Sequence, residues 1–239
     1  MMKNKSILAG ILLIFVAMGM RAAQVDTVMV ESRAMNKGVK VVYVVPDKAL
    51  GGQAQACPVI YLLHGYGGGG KWWITIKPEL PRIADEKGII FVCPDGKNSW
   101  YWDSPLNPAY RYETFVSSEL IEYTDRHYQT VASRQGRAIT GLSMGGHGAL
   151  WNAFRHKDVF GAAGSTSGGV DIRPFPQNWE MSRQLGEFAA NKKRWDEHTV
   201  INQIDKIQNG DLAIIFDCGE SDFFLEVNKD LHKRLLGRG

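Results

Sequence analysis

The sequence predicts an α/β fold, in which a mostly parallel, doubly wound sheet carries helices on both faces. Three observations predict it. Short apolar runs end in glycine or in a polar loop, as strands buried on both faces do. Amphipathic helical patterns alternate with these runs along the chain. The first two extended segments are separated by only four residues, which predicts an antiparallel hairpin.

The elements are expected in the following order. The hairpin covers residues 26–45. Further strand-like runs lie at 58–65, 88–96, 137–143, 160–168 and 211–219. Helical patterns lie at 79–87, 113–128, 145–157 and 222–236. Two connections, 95–111 and 169–210, are too long to be simple turns, and long excursions in such folds usually shape a site.

Residues 1–23 have the pattern of a secretory signal peptide. Lys3 and Lys5 precede an apolar run, and small residues follow it. The run is too short for a comfortable membrane span. We therefore expect a secreted or periplasmic protein without a stable membrane span, whose single domain is residues 24–239.

Charge and cysteine content narrow the functional class. Removing residues 1–23 takes three of the 28 basic residues and none of the 25 acidic ones, so the domain is near neutral. A neutral domain gives no electrostatic reason to expect nucleic acid or an anionic membrane as a partner. Cys57, Cys93 and Cys218 each adjoin an apolar run and are expected to be buried thiols, with one disulfide as the alternative. No cysteine or histidine cluster suggests a metal.

The segment Gly141–Gly145 matches the pattern G-x-S-x-G, with Ser143 at its centre. It follows an apolar strand and opens a helix, which is the strand–turn–helix context of a nucleophilic serine. Glycines are needed on either side because backbones crowd at such a turn. The helix N-terminus adds a favourable dipole for a developing oxyanion. Ser143 is therefore the candidate nucleophile, and a tight turn without chemistry is the alternative.

An acyl-transfer serine also needs two N–H donors for the oxyanion of the tetrahedral intermediate. The N–H of Met144, next to the nucleophile, is one. The loop 62–70, "LLHGYGGGG", is expected to supply the other from Tyr66, with Gly67 as the alternative. A phosphate-binding loop is disfavoured because the terminal Lys-Ser/Thr is missing. His64 precedes the serine in the chain and is expected to orient this loop rather than act as the base.

The catalytic acid is expected in the loop after the last strand. That loop offers Asp217, Glu220 and Asp222. Asp217 lies at the strand end, whereas Asp222 lies on the loop just before a helix and is the preferred candidate. Its task would be to bind the N–H of an imidazole and fix its tautomer.

The base is not apparent in the sequence. Chain order in this architecture is serine, acid, histidine, and the only histidine after Asp222 is His232, at an expected surface position of a helix. His147 is expected to point away from Ser143. A sheet of this kind would need one more strand, a loop carrying a histidine and a last helix. We therefore expect the chain to be C-terminally incomplete and nearly inactive, because losing the triad histidine costs on the order of 10⁶ in kcat.

Five segments carry a resemblance to a known family. They are "YLLHGYGGGGKWW", "VCPDGKNSWYWDSP", "YETFVSSELIEYTDRHY", "ITGLSMGGHGALW" and "FDCGESDFFLEVNKDLHKRL". Together they resemble the putative esterase family, which takes in esterase D (S-formylglutathione hydrolase), feruloyl and acetyl esterases of plant cell-wall degradation, and mycolyltransferases. The resemblance covers about residues 25–236.

The resemblance implies an α/β-hydrolase fold and a Ser-Asp-His triad that works without a cofactor. By position it makes Ser143 the nucleophile and Asp222 the acid, with the N–H groups of Tyr66 and Met144 as the oxyanion hole. Members of the family normally continue with a loop that bears a histidine. The chain has no such segment after Asp222.

The candidate substrate-binding residues are Trp100, Tyr101 and Trp102, together with His64. Aromatic faces suit sugar rings or a phenolic acyl group. Packing of the aromatic loop onto the sheet is an equal alternative.

The leading function is a secreted hydrolase of acylated carbohydrate, with feruloyl or acetyl as the acyl group and a small molecule or a polysaccharide as the alcohol. Three alternatives stay open. They are an acyltransferase to a sugar as in mycolyltransferases, a thioesterase like S-formylglutathione hydrolase, and a non-catalytic protein that binds carbohydrate. The predicted leader argues against S-formylglutathione, which is made in the cytosol.

Overall fold

The computed structural model describes residues 23–238, so the expected leader lies outside the described residues except for Ala23. The strands form one sheet. They are β1 Gln24–Ser32, β2 Lys37–Val45, β3 Val59–Leu63, β4 Ile90–Pro94, β5 Arg137–Gly141, β6 Ala162–Thr166 and β7 Ala213–Asp217. Their order is β1-β2-β4-β3-β5-β6-β7. β1 and β2 form the predicted hairpin, β2 is also antiparallel to β4, and the other pairs are parallel.

The helices alternate with the strands from β3 onward, as predicted, and the last helix follows β7. They are α1 Trp72–Ile76, α2 Leu80–Lys87, α3 Tyr112–Thr114, α4 Leu120–His127, α5 Met144–Arg155, α6 Met181–Leu185, α7 Lys192–Glu197 and α8 Leu225–Leu236. A π-helical turn, Phe115–Glu119, joins α3 to α4, so the pattern at 113–128 is one continuous helical segment. The sequence did not predict α1. The long connection 169–210 contains α6, α7 and three short 3₁₀ turns.

Helices cover both faces of the sheet. Because side chains alternate along a strand, Val41 and Tyr43 of β2 face a large core, whereas Val42 and Val44 face a smaller one. The large core includes apolar side chains of α4 and α5, and the smaller core includes those of α2. This arrangement confirms the predicted fold class.

β7 is the outermost strand of the sheet among the described residues. It pairs only with β6, and its Ile215 side chain is 75% exposed. The expected completion of the sheet by one more strand stays a prediction. No helix between residues 23 and 238 is both long and apolar enough to cross a membrane. Cys57 and Cys93 are buried free thiols, and Cys218 is a half-buried one.

Candidate active site

Ser143 occupies the turn between β5 and α5, at the carboxyl edge of the sheet. Its backbone has φ 57° and ψ −115°, a conformation that residues with a side chain rarely adopt. The Ser143 N–H donates to the Thr166 carbonyl oxygen at 2.9 Å, and the Ser143 carbonyl accepts the His147 N–H at 3.0 Å. These bonds hold Ser143 in a strained turn with its side chain half-buried. Strain of this kind is concentrated at functional sites.

The turn closes because glycine stands on either side of Ser143. A Cβ at Gly145 would collide with the Leu63 carbonyl group of β3, and a Cβ at Gly141 would collide with the backbone of Gly145. A third glycine, Gly146, leaves room for the Ser165 hydroxyl. The G-x-S-x-G pattern is therefore set by the close approach of three backbone segments at this point.

The loop 64–70 lies directly beside Ser143, since a Cβ placed on Gly65 would be 3.7 Å from the Ser143 Cβ. His64 supports this loop, as predicted. Its Nε2 accepts the Gly96 N–H at 2.9 Å, so its Nδ1 carries the proton and donates to the Gly65 carbonyl at 2.7 Å. Burial lowers the pKa of His64, which keeps the ring neutral. The side chain is fully buried and cannot contact a substrate, which corrects its assignment as a substrate-binding residue.

Two N–H groups beside Ser143 are available as donors. Among the described residues, neither the Tyr66 N–H nor the Met144 N–H has a hydrogen-bond acceptor. The Gly67 N–H, in contrast, donates to Asn98 Oδ1 at 2.9 Å. The Tyr66 and Met144 pair is therefore better suited to an oxyanion than the Gly67 alternative, because its donors are free.

Trp100, Tyr101 and Trp102 do not form a wall against a substrate. Their exposed fractions are 1%, 0% and 0%, so the prediction that they bind substrate is wrong. Trp100 and Tyr101 have φ values of 57° and 60°, and their side chains lie in the core. Tyr101 fills the space over Gly148, where a Cβ would collide with its ring, and its hydroxyl donates to the His64 carbonyl oxygen at 3.1 Å. The three rings pack the long loop 95–111 onto the sheet.

His147 points into the core, as predicted. Its Nδ1–H donates to the Gly169 carbonyl oxygen at 2.8 Å, and its ring stacks 6.1 Å from that of Trp151. Burial lowers the pKa of His147 to about 3. A neutral ring that is fully buried below the turn cannot take a proton from Ser143.

Asp222 lies in a turn that leads into α8. Its Oδ1 accepts the Phe224 N–H at 2.7 Å, and its own N–H donates to the Gly219 carbonyl oxygen at 3.0 Å. Asp217 instead ends β7 and is exposed, and its carboxylate accepts only a long bond of 3.4 Å from the Thr166 hydroxyl. Since β5 and β7 are two strands apart, the turns after them are separated by roughly 10 Å at the strand ends. An imidazole that joined Ser143 to Asp222 would have to lie between these two turns.

None of the chain's six histidines occupies that space. His64 and His147 are buried, and His232 is exposed on α8 with its ring 6.1 Å from that of Phe216. The other three, His127, His156 and His198, bond to groups elsewhere. Within residues 23–238, no histidine nitrogen lies within ion-pair distance of the Asp222 carboxylate.

Trp179 and Glu180 connect the loop 64–70, called the oxyanion loop below, to the turn around Asp222, called the acid loop. Both have left-handed φ values, 50° and 52°. Glu180 Oε2 accepts the Tyr66 hydroxyl at 2.9 Å, while the Trp179 ring packs 5.4 Å from Phe223 and 5.2 Å from Phe224, which follow the candidate acid. Sequence reasoning missed this pair, and its only signal was the unusual length of the connection 169–210.

Comparisons with known proteins identify the family of the chain. The family described as Putative esterase matches residues 32–235. The chain belongs to this family. An acetyl esterase from Caldicellulosiruptor saccharolyticus is 27% identical over 194 residues, which are 75% of this chain and 71% of that protein. The diacylglycerol acyltransferase/mycolyltransferase Ag85A of Mycobacterium gordonae is 33% identical over 161 residues, 62% of this chain and 43% of that protein.

Solved structures of a ferulic acid esterase and of a serine hydrolase have the same fold. A ferulic acid esterase superposes with a TM-score of 0.72 at 26% identity, covering 91% of this chain and 88% of its own. FphF, a fluorophosphonate-binding serine hydrolase of Staphylococcus aureus, superposes with a TM-score of 0.77, covering 90% of this chain and 86% of its own; at 18% identity it shows the fold alone. Family and fold together place the chain among the ester hydrolases.

Proposed function

We propose that the protein is a secreted serine hydrolase that removes acetyl or feruloyl groups from carbohydrate through an acyl-enzyme on Ser143. One observation carries the proposal. The strained Ser143 turn stands beside two N–H groups, of Tyr66 and Met144, that have no acceptor among the described residues. A nucleophile next to two preorganised donors is the arrangement that ester cleavage requires.

The reaction would take place in two steps. The Ser143 Oγ attacks the ester carbonyl carbon, and the carbonyl oxygen becomes an oxyanion held by the N–H groups of Tyr66 and Met144. The C–O bond to the alcohol then breaks, and the proton of Ser143 leaves with the alcohol. Water attacks the acyl group on Ser143, which releases the acid and restores the hydroxyl.

Both steps need a base to carry the proton, and none of the six histidines supplies one to Ser143 in this arrangement. A polypeptide of the 239 residues is therefore expected to turn over on the order of 10⁶ more slowly than a complete triad enzyme. Orientation and the oxyanion donors would still leave a residual reaction, of the order of 10³ to 10⁴ over water in comparable enzymes.

The relatives and the leader support the substrate class. The similar proteins include an acetyl esterase and a ferulic acid esterase. Secretion is supported by Lys3, Lys5 and the apolar run after them. Plant and microbial polysaccharide esters are found outside the cell, where a secreted protein would meet them. Carbohydrate binding without turnover is the second candidate, and it is favoured by the positions of the histidines among residues 23–238, none of which reaches the Asp222 carboxylate.

The proposal is tested by ester hydrolysis with an external base. Nitrophenyl acetate and methyl ferulate are incubated with the protein and with Ser143→Ala, at increasing concentrations of imidazole. We expect an imidazole-dependent rate that exceeds that of the Ser143→Ala protein, because imidazole replaces the missing base. Identical rates for the two proteins at every imidazole concentration would contradict the proposal. Product analysis with a sugar acceptor present separates hydrolysis from acyl transfer.

A further inference from the structure

The tip of the oxyanion loop is a β-turn at residues 65–68. The Gly68 N–H donates to the Gly65 carbonyl oxygen at 3.0 Å, and Gly67, the third residue of the turn, has φ 76°. A positive φ at the third position is typical of a type II turn, and glycine is favoured there. Type I and type II turns differ in the direction of the central peptide, which here joins Tyr66 to Gly67. The form of the turn therefore depends on what holds this peptide.

The preceding peptide, which carries the Tyr66 N–H, is held at its carbonyl end. The Gly65 carbonyl oxygen accepts a hydrogen bond from His64 Nδ1 at 2.7 Å in addition to the bond from the Gly68 N–H. In a planar trans peptide the N–H points opposite to the carbonyl. These two bonds therefore fix the direction of the Tyr66 N–H, the candidate oxyanion donor.

The central peptide of the turn is held by Asn98, which comes from the loop after β4. The Gly67 N–H donates to Asn98 Oδ1 at 2.9 Å. Packing does not hold Gly67 in place, since a Cβ added to it would meet no atom of the described residues within 4 Å. Reversing the peptide would turn the Gly67 N–H away from Asn98 and would change the path of the chain next to Tyr66. Asn98 therefore selects the observed form of the turn.

Asn98 is itself anchored on both sides. The Gly96 N–H donates to His64 Nε2 at 2.9 Å, and the buried Tyr101 donates its hydroxyl to the His64 carbonyl oxygen at 3.1 Å. Lys97 and Tyr101 have positive φ values of 50° and 60°. Strained conformations of this kind are concentrated at functional sites. The aromatic segment that was expected to contact the substrate thus fixes the loop that carries Asn98.

We propose that Asn98 is a positioning residue for the reaction at Ser143. By holding the Gly67 N–H, it keeps the turn 65–68 in the form that presents the Tyr66 N–H beside Ser143. A preorganised donor stabilises an oxyanion because it needs no reorientation during the reaction. Asn98 acts through Gly67 and is not required to touch the ester. The catalytic consequence rests on the proposed function, whereas the hold on Gly67 does not.

The kinetic test compares the wild type with Asn98→Leu, which keeps the approximate size of the side chain and removes the acceptor. Cleavage of nitrophenyl acetate is measured at a fixed imidazole concentration, and the rate of the Ser143→Ala protein is subtracted. We expect kcat to fall about tenfold with KM unchanged, because the oxyanion forms only in the transition state. Asn98→Ala, which adds no bulk, should give the same result.

The hold on Gly67 is measured separately by amide NMR, which needs no reaction. In Asn98→Leu the Gly67 amide proton should move upfield, because it loses its acceptor. Asn98→Asp keeps an acceptor oxygen and should keep the downfield signal, although its negative charge disfavours an oxyanion nearby. The matched control is Asn209→Leu, an exposed asparagine outside the candidate site, which should leave both kcat and the Gly67 signal unchanged.

Two results would overturn the proposal. One is a Gly67 signal that stays in place in both Asn98→Leu and Asn98→Ala. The other is a signal that moves while kcat stays equal to that of the wild type, or while KM rises as much as kcat falls, since a distorted site also weakens ground-state binding. A wild type no faster than Ser143→Ala would contradict the proposed function, and the Gly67 signal would still decide whether Asn98 holds the turn.

Discussion

The nucleophile side and the acid side of the candidate site are built on different parts of the sheet. Ser143 follows β5, which is paired on both edges, with β3 and with β6. Asp222 follows β7, which pairs only with β6 among the described residues and exposes 75% of Ile215. The geometry of Ser143 is therefore fixed by packed backbone, whereas the position of Asp222 depends on a surface turn and the rings beside it.

Adding one methyl group to each side should reveal the largest difference between them, which is in the free energy of unfolding. Gly145→Ala places a Cβ against the Leu63 carbonyl and should lower the free energy of unfolding by about 3 kcal/mol or more. This is opposite in sign to helix propensity, which favours alanine in α5 by up to about 1 kcal/mol. At Gly219 the nearest atom would be the Asp222 Cβ at 3.8 Å, an ordinary contact, so Gly219→Ala should change stability by less than about 0.5 kcal/mol. Urea unfolding of the two variants measures both; equal losses would remove the contrast.

Low pH should lower the free energy of unfolding through His147, which lies on the nucleophile side. Burial holds its pKa at about 3, below the usual 6.5, so the unfolded chain takes up a proton in this range and the folded chain does not. Stability from this group is fully present above pH 6.5 and is lost as the pH falls towards 3. Between pH 7 and pH 5 the loss is about 2 kcal/mol.

The variant His147→Gln should reduce this pH dependence by the His147 contribution, which is measured by urea unfolding at both pH values. Part of the dependence should remain, because burial also lowers the pKa of His64 and of His198. His232→Gln, exposed on the acid side, is the matched control and should leave the pH dependence as in the wild type. A pH dependence in His147→Gln equal to that of the wild type would show that His147 does not contribute to the acid sensitivity.

A smaller effect, on the rate of reaction, is expected from Glu180, which connects the two sides through the Tyr66 hydroxyl. Glu180→Leu removes the acceptor of the Tyr66 hydroxyl and should slow the Ser143-dependent release of nitrophenol from nitrophenyl acetate about tenfold, with KM unchanged. Glu180→Gln keeps an acceptor oxygen and should retain most of the rate. Glu226→Leu, exposed at the start of α8, is the control. Equal rates in Glu180→Leu and wild type would show that the Tyr66 N–H does not depend on this contact.

The smallest effect is expected at Asp222 itself. No histidine nitrogen of residues 23–238 lies within ion-pair distance of its carboxylate, so there is no imidazole for it to orient. Asp222→Asn should therefore change the acylation rate of the 239-residue polypeptide by less than twofold. A loss of tenfold or more would mean that a histidine reaches Asp222 in solution.

The sequence predicted the features that depend on local pattern. The strands around Ser143 are short apolar runs, and the glycines at 141 and 145 follow from backbone crowding at the turn, so both could be read without coordinates. The same holds for the supporting role of His64, which was expected because His64 precedes the serine in the chain.

The sequence did not predict where the side chains of the two long connections point. Trp100 and Tyr101 adopt positive φ, which the residue types did not indicate, so an expected substrate wall lies in the core. Asn98 and Glu180 contact the oxyanion loop only because 95–111 and 169–210 fold back over it, and no periodicity in the sequence encodes that return. Their positions are set by tertiary packing.

The most direct measurement of the central claim is the location of the acyl group after reaction with an activated ester. Deacylation also needs a base, so acetyl transferred from nitrophenyl acetate should remain on the protein. Peptide mass mapping is then expected to find one acetyl group on Ser143, which is absent from the Ser143→Ala protein. Acetylation confined to lysines, with Ser143 unmodified in a folded protein, would contradict the account.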